Sequence, residues 1–423
     1  MEKRRLNSYE MAMVMMSFML SVNMCSMGGT IGEGRTFLSG LAAILIGFVI
    51  LSALAIVSGL MGWKSRCDTA IIWKTVFGEK GFLIFSFCVA ISMAIFAIFD
   101  FWNCGKVISN LMPGHPVLGF SIGIVFIVAV SAIGSVTGIT GVKWISVISM
   151  PIGLILFLYL TYLSIDGAGG MEAILSYSPE QNKAMSFSAA ISLFVSSYIS
   201  STPVFSDLTK AAATKKAVFI GMPCGILVLV VQFFLGQIGA ISSGAYGLVA
   251  IGFQLGGTAL IATSIFTAIA QTNTVPTANL MYSTQLAAVL KANRKAVAVI
   301  IPILAGVGSF IVEYVTELSI ISAWANFTGV IVLPALGVTF ADYWVIKRGK
   351  INIERQGKNV YPNAVIAMAA GMAVGLIGSY FIKIPLPTVI SMFVSFLVHL
   401  ILSSKSKRKR ETLVERPYSS EIK

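Results

Sequence analysis

Between short polar or basic links, this chain is written as apolar runs of about twenty residues or more, and that pattern constrains the backbone more than any motif. In hydrocarbon an unpaired N–H or C=O costs several kcal/mol, so only helices and closed barrels cross a bilayer. Phe37–Trp63, Val117–Val136 and Val142–Ile165 each reach the roughly 20 residues that span about 30 Å. Of the 423 residues, 57% are hydrophobic and only 11% charged, against about 25% charged in soluble domains. The expected fold class is therefore an all-α integral membrane protein of about 12 transmembrane helices, forming one domain over residues 1–423.

Taken in order, the expected spans are Ser8–Gly34, Phe37–Trp63, Gly81–Leu111, Val117–Val136, Val142–Ile165 and Phe187–Leu208. They continue as Ala217–Ala240, Thr258–Tyr282, Val297–Val312, Leu318–Ile346, Ala364–Ile382 and Thr388–Leu402, with a basic tail over 403–423. Thr69–Phe77 is too short to span and reads as an interfacial or re-entrant helix. Gly244–Gly257 reads as a surface helix, and Ser283–Ala296 as an amphipathic cytoplasmic segment. Met1–Glu10 is polar and basic, and the run after it lacks a small-residue cleavage site, so no cleavable leader is expected. With this count, all of the 30 basic residues except Arg35, Lys106, Lys183 and Lys383 fall on one side. The positive-inside rule then puts both termini in the cytoplasm of a cell with an inner membrane.

Two spans are interrupted. The sixth contains Ser196–Pro203, five of whose eight residues are Ser or Thr before the proline, and the first contains the polar, glycine-bearing stretch Ser21–Gly29. Proline removes a donor and clashes with the preceding turn, so a helix bends or opens there. Each break begins a block of five helices, and an odd number reverses the second block. The expectation is a pair of inverted repeats, about 9–165 and 187–346, followed by two extra helices at about 364–402. Half-helix ends present unpaired N–H and C=O groups that can hold a polar substrate and a cation.

Other polar groups sit inside spans. Gln271–Asn279 packs hydroxyls and amides around Pro276, hard oxygen ligands suited to a small cation. Asp100, Asn103 and Lys106 follow one another at intervals of three in the third span. A carboxylate there is costly and calls for a role: pairing with Lys106, relaying protons, or facing an outer vestibule, the pair being favoured. Asp207, beside Lys210, and Asp342, beside Lys347, are expected to anchor gates at cytoplasmic helix ends.

The net charge of +13 sits at helix ends and in the tail, which points to a membrane and to no nucleic-acid partner. Five cysteines without metal-ligand spacing read as packing residues, and His115 and His399 are far apart, so no bound metal beyond Na⁺ is expected. No nucleophile–base set lies at midplane, which argues against an intramembrane enzyme. A channel and a transporter-like sensor remain, the latter with little room for a signalling domain.

Several of these segments resemble the nucleobase–cation symporter family, in its cytosine permease branch. They are Met27–Gly34 after the first break, Ser197–Ser200 with Ser206–Lys210 in the sixth span, Asn279–Ser283, and Ala341–Trp344. The likeness is collinear over roughly Tyr9–Lys350. It implies the LeuT-like fold of two inverted five-helix repeats, with a planar nitrogen heterocycle bound midway by helices one, three, six and eight. Carried onto this chain, substrate contacts fall at Asn23, Ser26, Met93, Phe96, Ser197, Tyr198, Ser200, and Asn273 or Asn279. Na⁺ would lie between first-helix carbonyls at about Val22–Cys25 and some of Thr272, Asn273, Thr274 and Thr277. On helix three the branch has a glutamine and a tryptophan where Met93 and Phe96 stand here. Losing that amide means a bulkier or less polar heterocycle fits as well as cytosine. The function so implied is symport of a nucleobase-like heterocycle with Na⁺ or H⁺ across the lipid bilayer, with no other cofactor. An amino-acid or other small-solute symporter of the same fold is the alternative.

Overall fold

The structure, a computed structural model, describes residues 5–199, 201–244, 247–315, 330, 332–351, 359–382 and 384–414. Among these residues it is helical throughout, the one β feature being an isolated bridge between Leu6 and Ala212. Helices α1 (Ser8–Met19) and α2 (Asn23–Gly34) make the first, broken span. Then come α3 (Phe37–Ser65), α4 (Thr69–Phe77), α5 (Gly81–Leu111), α6 (Pro116–Thr137), α7 (Ile139–Gly167) and the short α8 (Met171–Ser176). The second broken span is α9 (Phe187–Ile199), a 3₁₀ turn at Thr202–Phe205, and α10 (Ser206–Thr209). After it lie α11 (Lys215–Ser243), α12 (Leu248–Leu255), α13 (Gly257–Leu290), α14 (Arg294–Val315), α15 (Val332–Ile346), α16 (Pro362–Leu376) and α17 (Pro387–Val414).

Local chemistry sets many of these ends. Asn7 opens α1 with a capping box: its Oδ1 accepts the Glu10 N–H at 2.9 Å, and Glu10 Oε2 accepts the Asn7 N–H at 3.1 Å. Thr214 caps α11 through the Ala217 N–H. Pro116 stands in the first turn of α6, where its missing N–H is no loss.

Seven of the described helices are long and apolar enough to cross a membrane, and the two broken pairs bring the number to nine. Helices α5 and α13, of 31 and 34 residues, are about 45–50 Å long at 1.5 Å per residue. On α7 the exposed large side chains are Trp144, Ile148, Ile152, Ile155, Leu158, Tyr159 and Tyr162, a helical stripe with aromatics at both ends. Trp144 and Tyr162 stand about 27 Å apart at helical rise, the spacing of interfacial aromatic belts. This is a multi-pass membrane protein.

The chain divides into two compact units. The larger, Met1–Thr69 with Ser86–Gly329, holds both broken spans. Within it α11 packs on α1, α2 and α3, α3 packs on α9, and α13 packs on α6, α7 and α14. Close approach depends on glycine: a Cβ on Gly28 would lie 2.6 Å from Phe233 Cα, and one on Gly32 would lie 2.8 Å from Gln237 Cα. The smaller unit, Ala70–Phe85 with Val330–Lys423, packs α16 on α17 through Gly371 and Gly375 against Ser391 and Ser395.

Several expected boundaries move. The first break is only Leu20–Val22, because Asn23–Gly34 is helical through its glycines. Ser283–Ala296 is no separate amphipathic segment: α13 runs on to Leu290 and α14 starts at Arg294. The basic tail is helical as far as Val414. The expected start of the tenth span, 318–329, lies outside the described residues.

Candidate functional site

At the first break α1 and α2 meet at 67°. The α-helical ladder ends there with only short-range backbone bonds, Leu20 N–H to Ser17 O at 3.2 Å and Ser21 N–H to Met19 O at 3.0 Å, which leaves the carbonyls of the last turn of α1 open to further donors. Those carbonyls are taken up by side chains from three other helices. Phe18 O accepts the Tyr198 hydroxyl from α9 at 3.0 Å. Met19 O accepts Gln232 Nε2 from α11 at 2.8 Å. Ser17 O and Leu20 O share the Thr274 hydroxyl from α13, the former at 3.3 Å. Beside them, Asn273 Oδ1 accepts the hydroxyls of Ser17 at 2.6 Å and of Ser149 from α7 at 2.8 Å. Carbonyl, amide and hydroxyl oxygens thus gather where α1 ends, the donor set a small hard cation takes.

The second break bends by 44°. Thr202 O accepts the Ser58 hydroxyl of α3 at 2.6 Å, and Pro203 O accepts the Thr69 hydroxyl at 3.1 Å. Between the two breaks lies a cavity. Phe18, Ser21 and Met24 line it from the first span, and Phe96, Ala97 and Asp100 from α5. Ser197, Tyr198 and Ser201 line it from the sixth span, and Thr274 and Ala278 from α13. The Phe18 and Tyr198 rings meet edge to face, 5.6 Å between centroids. Aromatic walls with a few polar groups suit a flat, partly polar molecule.

Among the described residues, Asp100 is the one carboxylate on this cavity's walls. Its Oδ1 accepts Asn23 Nδ2 at 2.8 Å and the Ser21 hydroxyl at 3.1 Å, and Asn23 Oδ1 in turn accepts Asn103 Nδ2 at 2.7 Å. The expected pair with Lys106 does not form. Six residues along an α-helix turn through about 240°, so the two side chains leave on different faces. Lys106 instead meets Glu313 of α14 at 2.9 Å, and Trp102 Nε1 donates to the same carboxylate at 2.7 Å.

Among the other candidates, Phe96, Ser197 and Tyr198 line the cavity, and Asn23 borders it through Asp100. Ser200 and the side chain of Met93 lie outside the described residues. Ser26 does not reach the cavity; it packs against Gly247, and its carbonyl accepts the Thr30 hydroxyl. Asn279 is likewise elsewhere, its amide donating to Ser135 Oγ at 2.6 Å and Ala298 O at 2.8 Å. One residue earlier on the helix, Ala278 takes the cavity-facing position. The carbonyl set also shifts: Val22 O is occupied by the Cys25 N–H within the new helix, and Cys25 O abuts Gly236. Thr272 and Thr277 bond back to their own helix, at Ala268 O and Asn273 O. Of the four helix-eight candidates, Asn273 and Thr274 reach the first span.

Asp207 accepts the Thr69 N–H at 2.7 Å and Gln285 Nε2 at 2.8 Å, while neighbouring Lys210 pairs with Asp68. Asp342, in the smaller unit, lies 2.5 Å from Lys347 and 3.6 Å from His399. Neither touches the cavity. The residues that sequence reasoning passed over include Ser17, Phe18, Leu20, Ala97, Ser149, Gln232 and Ala278. Ser17–Leu20 could be found from the rule that a broken helix frees the carbonyls before its break; Ser149 carries no sequence signal.

Residues 1–398 match the family described as permease for cytosine/purines, uracil, thiamine, allantoin. Cytosine permease of Escherichia coli (strain K12) is 27% identical over 236 residues, 53% of this chain and 51% of that protein, so the match spans about half the length of this curated relative. MHP1, a nucleobase-cation-symport-1 family transporter solved closed with bromovinylhydantoin bound, superposes with a TM-score of 0.82 at 19% identity, covering 96% of this chain and 94% of that one. Its inward-facing form gives 0.78 at 18% identity over 96% and 92%. A Na⁺-coupled sialic acid symporter gives 0.64 at 14% identity over 95% and 90%. At these identities the superpositions establish the fold, which is that of the LeuT-like transporters. The chain belongs to the family of permeases for cytosine/purines, uracil, thiamine and allantoin.

Proposed function

We propose that this chain is a cation-coupled symporter that imports a nucleobase or related nitrogen heterocycle by alternating access. The observation that carries the reading is the cavity between the two breaks, walled by Phe18, Phe96 and Tyr198, with the Ser17–Leu20 carbonyls and Asn273 and Thr274 alongside. A flat ring stacks on the aromatics while the polar groups between them read its edge. The cation is Na⁺, held by Ser17 O, Leu20 O, Thr274 Oγ1 and Asn273 Oδ1; with H⁺ as the coupling ion those oxygens would carry no such role. Cation binding ties the first span to α13 and so favours one access state over the other.

In this reading the repeats are about 9–165 and 187–346, the protein sits in the inner membrane, and the basic side with both termini is cytoplasmic. Asp207 bridges the sixth span to Gln285 of α13, and Asp100 bridges the first span to α5; both bridges act as gates that must rearrange in the cycle. Asp342 anchors α15 through Lys347 and His399. The fold also serves a sialic acid symporter. Here no cationic side chain lines the cavity among the described residues, which disfavours a carboxylate cargo.

Uptake of labelled cytosine and uracil into proteoliposomes, with and without an inward Na⁺ gradient, tests the reading. Accumulation against the substrate gradient is expected; equilibration without accumulation would indicate a channel, and uptake of amino acids alone the alternative cargo. Ser197→Ala and Tyr198→Ala should weaken uptake while the protein remains in the membrane, and wild-type rates in both would remove this pocket from the mechanism.

A further inference from the structure

The Asp100 carboxylate is buried in the wall of the cavity, 5% exposed. Its hydrogen-bond donors, the Ser21 hydroxyl and the Asn23 amide, are both neutral, and both fall on Oδ1. The Gln271 amide is fully buried beside the carboxyl, outside normal hydrogen-bond geometry. The two lysines that belong to nearby spans are engaged elsewhere, Lys106 with Glu313 and Lys143 with Glu10. A membrane-embedded carboxylate without a cation is costly, and such groups face cavities and pair with what passes through them. Ionised, it has acceptor sites and no donor, and two neutral hydrogen bonds leave part of that capacity open.

We infer that Asp100 selects the cargo's edge. The preferred heterocycle presents N–H donors or a positive charge to α5, as amino-substituted and amidine-like rings do, and a ring that presents carbonyl oxygens there is disfavoured. The inference rests on the heterocycle reading above and adds a sign to it. Charge-assisted N–H···O⁻ bonds are about twice as strong as neutral ones, whereas a carbonyl turned toward a carboxylate leaves two acceptors facing each other with no proton between them. Flatness is set by Phe18, Phe96 and Tyr198, and edge chemistry by Asp100.

The test uses two rings of one size, 2,4-diaminopyrimidine and uracil, titrated against the purified full-length protein in lipid nanodiscs. Wild type should bind the diamine at least ~10-fold more tightly, the ratio that one charge-assisted bond supplies. Asp100→Asn, whose amide offers donors as well as an acceptor, should shrink the ratio below about threefold, and Asp100→Glu should keep the diamine preferred. Size-exclusion profiles and unchanged thermal stability show that the Asn variant is folded. A wild-type protein that binds uracil as well as or better than the diamine overturns the inference alone, as does an undiminished preference in Asp100→Asn. Binding of neither ring, together with binding of amino acids, overturns the heterocycle reading and this inference with it.

Discussion

The two broken spans look alike in sequence but are held differently. At the second break the freed carbonyls of Thr202 and Pro203 go to Ser58 and Thr69, at the end of α3 and the start of α4. At the first break the carbonyls of Ser17 to Leu20 go to Tyr198, Gln232 and Thr274, on α9, α11 and α13. The first break is therefore a junction of helices from several parts of the bundle, which would have to move relative to one another in the proposed alternating-access cycle, while the second is fastened to its nearest neighbours. Under the proposed function, the difference gives coupling to the first break and rigidity to the second. In hydrocarbon no water replaces a lost partner, so whichever helix supplies the hydroxyl or amide is tied to the state of the break.

The largest expected effect comes from Thr274→Val, which removes the hydroxyl shared by Ser17 O and Leu20 O at nearly constant volume. Leaving a buried acceptor unsatisfied costs about 1–3 kcal/mol, and the loss of a cation ligand adds to it. Initial uptake rates should fall ~10-fold or more and lose their dependence on external Na⁺. Retention of that dependence would take the cation site away from this break.

A smaller effect is expected of Tyr198→Phe, which keeps the ring on the cavity wall and strands Phe18 O. Substrate affinity should weaken by roughly 3- to 10-fold, less than for Tyr198→Ala, in which the aromatic wall is also lost. Equal losses in the two variants would mean that the hydroxyl, not the ring, is what matters. The smallest effect belongs to Ser58→Ala at the second break. Interhelical hydrogen bonds in membranes average about 0.6 kcal/mol, so thermal stability should drop slightly and uptake stay within about threefold. If Ser58→Ala instead matches Thr274→Val, the distinction between the two breaks is wrong.

Much of this was legible in the residues. The apolar runs, the short α4 at Thr69–Phe77 and the two interruptions follow from local chemistry, since a proline or a cluster of Ser and Thr affects only its own few turns. The candidate site was half legible. Ser197, Tyr198 and Phe96 were identified through the family likeness and line the cavity, and Asn273 and Thr274 reach the first span. Asn279 and Ser26 do not reach the cavity, because one residue of rotation on a helix is about 100° and register within a polar run cannot be set by composition.

Asp100 shows the boundary most clearly. Its sequence neighbours offered Lys106 as a partner, yet its bonds go to Ser21 and Asn23, 79 and 77 residues away, and Lys106 finds Glu313, 207 residues on. What the residues alone determined was which stretches enter the membrane as helices and where those helices break, because hydrophobic length and backbone hydrogen bonding act within a few turns. Only the packed bundle decided which oxygen faces which donor. In Thr274 and Ser17, 257 residues apart, the partners share neither a helix nor a turn, and no spacing rule connects them. Tertiary packing brings them to one point, and the proposed substrate and cation roles rest on that convergence.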